Sequence, residues 1–289
     1  MKPRTLGFIE ILASGICFGF LGIFGKIAYQ NGLSSFELLS LRFLTSSIIL
    51  AAGILIFKPQ LFRMQNSERW ASILLGLFGL SLFSGSYFIA LQYLSAPMTA
   101  LLLYTYPVLV AIGAQFWFGE KLGKLGWAAM AGSLVGLGLL LGGEINVQNP
   151  WAIIIGLTSA LGYAAYILLS RKFLKTANPW ASVFWIQLSA GLCFFFLGSL
   201  NGPRVLFLYQ EKLFLIFGIA IVSSLMPMIL FLRGLQRIKS LEVSILSTSE
   251  PVTAILLTSL FLGESLTLIQ MIGGICVLMA LVLLARRPS

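Results

Sequence analysis

One carboxylate lies deep inside an apolar stretch of this chain. It is Glu250, within Ser244-Ile245-Leu246-Ser247-Thr248-Ser249-Glu250-Pro251-Val252, in a run from about Leu241 to Leu262. A charge at the middle of a membrane-length segment costs about 3 kcal/mol or more unless a cavity or a partner receives it. Burial favours the neutral acid, whereas a nearby cation or an aqueous opening favours the anion. A carboxyl balanced between them can exchange a proton or hold a cationic group. The competing reading is a protonated acid hydrogen-bonded between helices. Pro251 lacks the N–H that would bond the Ser247 carbonyl, which predicts a kink and a free acceptor at the same depth.

Two cations form the next candidate pair. Lys26 and Arg42 lie in consecutive apolar stretches, each within about two turns of the same membrane face. Together they predict a positive vestibule that attracts an anionic group or pairs with Glu37, against the alternative of snorkelling to headgroups. Glu10 is expected to pair with a basic residue near the opposite face. Glu120 and Glu264, each beside a glycine, are expected to cap the helices that follow them. Histidine is absent, which removes imidazole as base and as ligand. Cys17, Cys193 and Cys276 show no CxxC spacing and read as small buried apolar groups. The chain carries no P-loop or dinucleotide fingerprint. Neither an ATP-driven step by this chain alone, a metal, nor any cofactor is therefore expected.

The elements that position these groups follow from hydropathy. Of 289 residues, 58% are hydrophobic and 10% charged, and the mean hydropathy is +0.98. Soluble domains carry about 25% charged residues. An all-α integral membrane protein follows. At about 20 apolar residues per crossing, ten spans are predicted, near Leu6–Tyr29, Phe36–Phe57, Trp70–Leu91, Pro97–Phe118, Gly123–Gly142, Pro150–Leu169, Trp180–Leu200, Leu213–Leu232, Leu241–Leu262 and Leu266–Ala285. The first is too long for a signal peptide and reads as a retained span. The net charge of +10 sits between spans, so it signals topology and not nucleic-acid binding. With both termini cytoplasmic, only Lys26, Arg42, Arg204 and Lys212 of the nineteen Lys and Arg fall on the outer side.

The halves also repeat. At an offset of 144, Leu91-Gln92 falls on Leu235-Gln236, Pro107-Val108 on Pro251-Val252, and Gly119-Glu120 on Gly263-Glu264. At 145, Ser14 meets Ser159, Phe18 meets Tyr163 and Lys26 meets Arg171. Five spans per half is odd, so the second repeat (150–289) crosses in the opposite sense to the first (1–143), an arrangement typical of secondary transporters. Glu250 has Tyr106 as its counterpart, so the carboxylate is present in one repeat only. Gly15-x3-Gly19 and Gly132-x3-Gly136 allow close helix approach, within the chain or between copies.

Gly15, Gly19, Lys26, Leu41-Arg42 and Pro107…Gly119-Glu120 resemble one EamA repeat, and Glu250-Pro251…Gly263-Glu264-Ser265-Leu266 with Gly273-Gly274 resembles a second. The chain is thereby similar to the EamA family of the drug/metabolite transporter superfamily. That resemblance implies ten helices around a central cavity, lined mainly by spans 1, 3, 4, 6, 8 and 9, and export or exchange of small metabolites. On those spans Ser14, Ser84, Tyr87, Thr99, Tyr104, Tyr163, Tyr166, Ser244 and Ser247 are candidate lining groups, with ordinary interhelical packing as the alternative. Tyr163 and Tyr166 share a helix face, and Tyr104 precedes the kink proline Pro107 by three.

The expected function is a secondary transporter of amino acids or similar amphipathic solutes in a bacterial inner (plasma) membrane. It would work by alternating access, with proton coupling through Glu250. The expected partners are the solute and membrane lipids. A lipid or polyprenyl-carrier flippase is the alternative. A membrane-embedded enzyme is the third reading, and it lacks a nucleophile or metal grouping.

Overall fold

The computed structural model describes residues 2–142, 150–199, 213–263 and 265–286. The Gly143–Asn149 loop, the Asn201-Gly202-Pro203 break with Arg204 and Lys212, and Glu264 lie outside the described residues. Among the described residues, ten helices are long and apolar enough to cross a membrane: α1 Pro3–Gln30, α2 Ser35–Phe57, α3 Asn66–Ala90, α4 Ala96–Phe118, α5 Lys124–Leu141, α6 Trp151–Phe173, α7 Pro179–Gly198, α8 Phe214–Arg237, α9 Ser240–Phe261 and α10 Leu268–Ala285. Several run past the apolar spans read from sequence. α3 begins early because Glu68 accepts from the Gln65 N–H at 3.1 Å and satisfies a donor of its first turn. α6 and α8 continue through Arg171-Lys172 and Arg233–Arg237, whose charged ends lie at a membrane face where helix costs little.

Packing follows an exchange pattern. α1 packs on α8 and α9, and its counterpart α6 packs on α3 and α4, while α2 lies against α7 and α5 against α10. Swapping the two five-helix sets returns the same contacts, so the bundle has a pseudo-two-fold relation between inverted repeats. Local irregularities repeat as well. A π-helical turn interrupts α3 at Leu75–Leu80 and α8 at Ile221–Leu225. Turns break α4 at Tyr104-Thr105 and α9 at Ser247-Thr248. Gly119 ends α4 and Gly263 ends α9, both left-handed at φ 62° and 68°, where a side chain would be strained.

The small-residue motifs work within the chain. A Cβ on Gly19 would stand 2.8 Å from Thr253 Cγ2 of α9, and one on Gly136 would stand 2.8 Å from both the Gly273 carbonyl oxygen and the Val277 nitrogen of α10. Backbone cannot yield as a side-chain tip can. Gly136→Leu should therefore lower stability by about 1–3 kcal/mol, read as a fall in the melting temperature of the purified protein. Gly138→Ala, which meets no atom within 4 Å, should leave it unchanged or raise it.

Candidate functional site

The helix interruptions free backbone carbonyls at membrane depth, where water cannot pair them. At the α8 bulge, Arg42 of α2 donates through Nε to Ser224 Oγ at 3.0 Å and through Nη2 to the Ser223 carbonyl at 3.3 Å. Its guanidinium also lies over the Phe43 ring at 4.5 Å. Gln187 of α7 donates to the Ser224 carbonyl at 3.1 Å, and Ser46 of α2 donates to the Ala220 carbonyl at 3.2 Å. Around the α3 bulge, Ser81 donates to the Gly76 carbonyl at 2.9 Å and Ser189 of α7 to the Ile73 carbonyl at 3.1 Å. Gln187 is the counterpart of Arg42 at the offset of 145, a signal present in the sequence but not singled out from it. Arg42 is thus not bound to Glu37, which instead accepts the Ser34 N–H at 2.7 Å in the capping box of α2. The helix start three residues away claims that carboxylate first.

The α9 break corrects a second expectation. The Ser247 carbonyl is not free, because Glu250 N–H donates to it at 3.1 Å. The carbonyl that the break releases for the other repeat is Ser244, which accepts the Tyr106 hydroxyl at 3.0 Å. Tyr106 is fully buried and ties the broken region of α4 to that of α9. Glu250 occupies the first turn after the break, at the positive end of a 14-residue helical segment.

A cavity of about 630 Å³ runs along this region. Glu250, Pro251, Arg42, Lys26, Tyr87, Ser84, Tyr104, Tyr163 and Tyr166 line it, together with Phe83, Phe88, Met228 and Phe231. The rings pack as a continuous wall: Tyr163 stands 4.5 Å from Tyr106, 4.8 Å from Phe83, and 6.4 Å from both Tyr166 and Phe231. The spans implied by the resemblance all contribute, and α2, the end of α5 and Gln270 of α10 join them. Other candidates turn elsewhere. Ser14 donates to the Pro227 carbonyl at 2.8 Å, Ser244 to the Leu241 carbonyl at 3.0 Å and Thr99 to the Ser95 carbonyl at 3.0 Å. Ser247 and Pro107 are buried in the packing around the breaks. Phe83, Phe88, Met228 and Phe231 carried no sequence signal beyond being apolar.

Lys26, Tyr29, Leu91, Ala96, Pro97 and Gly142 extend the lining to the bundle end where α1 finishes and α2 begins, the mouth. The opposite end, the base, is sealed. Glu10 of α1, 4% exposed, pairs with Arg233 at 2.9 Å and Arg237 at 2.8 Å of α8, and Arg4 pairs with Glu242 of α9 at 2.8 Å. The backbone closes with them, since a Cβ on Gly7 would come within 2.7 Å of Ile238. Glu120 does not cap α5 as expected. Left-handed Gly119 turns the chain, and Glu120 accepts the Ser240 and Leu241 N–H groups of α9 at 3.4 and 3.3 Å. Burial pushes its carboxyl above the usual carboxylate range, with the Leu241 N–H and Arg171 pulling the other way.

Ten membrane-length helices around a polar and aromatic cavity, open at one end and sealed at the other, have the build of a membrane transporter. The chain belongs to the EamA-like transporter family, whose model matches residues 5–142 and 150–286. An uncharacterized transporter of Archaeoglobus fulgidus is 34% identical over 70% of this chain and 73% of its own length. The uncharacterized transporter YcbK of Bacillus subtilis is 28% identical over 94% of this chain and 90% of its own. The threonine/homoserine exporter RhtA of Escherichia coli K12 is 27% identical over 79% and 76%. A protein of known crystal structure superposes with a TM-score of 0.84 at 18% identity, covering 97% of this chain and 96% of its own, which shows the shared fold.

Arg42 is 5% exposed and neutralises two oxygens that have no water to turn to. Arg42→Met should cost about 1–3 kcal/mol. The expected result is a melting temperature several degrees below that of the parent in the same detergent, with Gln187→Leu falling in the same direction.

Proposed function

We propose that the protein is a secondary transporter of small zwitterionic metabolites, neutral amino acids foremost, exporting or exchanging them across a bacterial inner membrane by alternating access. The observation that carries this reading is the cavity, which holds one carboxylate, two cations and an aromatic wall, with access from the mouth and a sealed base. A zwitterion brings two charges into a low-dielectric space, and each needs a counter-charge to offset lost hydration. Glu250 suits an ammonium group. Lys26 and Arg42 give the mouth side of the cavity the sign that suits a carboxylate. Phe83, Tyr87, Tyr104 and Tyr163 offer an apolar and hydroxylic surface for the remaining side chain. The volume falls in the range of small-ligand sites, about 300–1,000 Å³. The likeness to a threonine/homoserine exporter supports the same class.

The two repeats, 1–143 and 150–289, rock against each other around this site, with both termini in the cytoplasm. The distribution of Lys and Arg supports that orientation, in which the mouth faces outside. Glu250 couples transport to protons: it carries a proton when the solute is away and gives it up to receive the ammonium. The carboxylate has no copy in the first repeat, so the coupling group is single and moves relative to the two faces only through the rocking of the repeats.

Proteoliposomes with an imposed pH gradient test this directly. Labelled neutral amino acids should accumulate against their gradient in the parent. Glu250→Gln should lower that accumulation about tenfold or more. Full pH-driven accumulation by the variant would show that the coupling group lies elsewhere. Movement of a labelled lipid with no movement of any amino acid would favour a flippase.

A further inference from the structure

The sealed base contains a contact whose parts occur twice in the chain. Arg171 of α6 donates through Nη1 to the Leu235 carbonyl at 2.7 Å and to the Gln236 carbonyl at 3.3 Å, at the last turn of α8. These are among the carbonyls that a helix C-terminus leaves without partners, and a cation there also meets the negative end of the helix dipole. The Gln236 amide in turn donates to the Leu174 carbonyl at 2.7 Å and the Ala177 carbonyl at 2.9 Å, just past α6. Arginine and glutamine thus fasten the end of α6 to the end of α8 reciprocally.

The first repeat holds the same set. Lys26 stands at the position of Arg171, Leu91-Gln92 at that of Leu235-Gln236, and Tyr29 and Gly32 at those of Leu174 and Ala177. Because the repeats are inverted, this second set lies at the mouth. There Lys26, Tyr29 and Leu91 line the opening, and Gln92 is exposed instead of packed against the end of α1.

We infer that Lys26 and Gln92 are the halves of an outer latch, the counterpart of Arg171 and Gln236, which closes the mouth when the base opens. In the closed-mouth state Lys26 donates to the Leu91 and Gln92 carbonyls at the end of α3, and the Gln92 amide donates to the Tyr29 carbonyl in the last turn of α1 and the Gly32 carbonyl just beyond it. The latch rests on the transport reading for its purpose, but its geometry stands on the repeat alone. The residue types also set a bias. A guanidinium forks rigidly onto two carbonyls, whereas an ammonium is a flexible point donor. The inner latch is the tighter, consistent with a structure whose base is shut and whose mouth is open.

The test is a pulsed electron–electron spin resonance distance across the mouth, in full-length protein in lipid nanodiscs. Spin labels are placed at Gln30→Cys and Tyr93→Cys in a background with Cys17→Ala, Cys193→Ala and Cys276→Ala. Arg171→Ala should raise the weight of a shorter, closed-mouth distance about fivefold or more. Gln236→Ala, which loosens the same latch from α8, should act likewise and serves if Arg171→Ala fails to fold. Adding Lys26→Ala or Gln92→Ala should remove the gain, and Lys26→Arg should enlarge it. A short-distance population unchanged by Lys26→Ala, or a mouth distance unmoved by both inner-latch variants, overturns the inference. The readout needs no transported solute. A failed latch with active proteoliposomes, or a working latch with inactive ones, therefore separates this inference from the proposed function.

Discussion

The constraint on which the bundle depends is that every backbone N–H and C=O in a membrane must find its partner inside the protein. Straight helices meet it automatically. Among the described residues, the spanning helices are interrupted at the bulges of α3 and α8 and the breaks of α4 and α9. Oxygens exposed by these departures are taken up by side chains of other helices. Arg42, Ser46 and Gln187 serve α8, Ser189 serves α3, and Tyr106 serves α9. Arg42 and Ser46 of α2 and Gln187 and Ser189 of α7, all buried, are explained by this duty before any solute is considered. Arg42 is the main case, since its visible hydrogen bonds are structural although it also borders the cavity.

The irregularities also build the site. A continuous α9 would leave Glu250 in mid-helix, whereas the break sets it in the first turn of a new segment, where the dipole favours a negative charge. The same break frees the Ser244 carbonyl for Tyr106, which locks the two broken helices together behind the aromatic wall. The proposed site and the fold therefore share one set of interruptions. The inverted repeat also gives base and mouth related parts, with Arg171 and Gln236 bonded at the base and their counterparts Lys26 and Gln92 at the mouth.

Much of this was legible in the chain. The ten spans are long and apolar, and hydropathy reports length and apolarity well. The partner of Glu10 was legible as a type of charge, because an acid at a basic membrane face has few other options. What was not legible depended on contacts between repeats. Nothing local tells Glu120 to cap α9 instead of the helix that follows it. The α8 bulge is marked by Ser223-Ser224 and by Pro227, whose missing N–H leaves the Ser223 carbonyl without its helical donor, a signal present in the sequence but not singled out from it. Pro251 pointed to the right region but to the wrong free oxygen, since a turn re-pairs Ser247 and releases Ser244. Helix overhangs such as Arg233–Arg237 were missed because a hydropathy cut stops at charge, whereas a helix does not.

The central claim is that the cavity receives the ammonium of a zwitterion at Glu250. Calorimetric titration of the purified parent with threonine, homoserine and other neutral amino acids, each beside its N-acetyl derivative, tests it most directly. The expected result is saturable binding of at least one free amino acid and its loss on acetylation, which removes the cation while keeping the side chain. Equal binding of the free and the acetylated forms would contradict the claim.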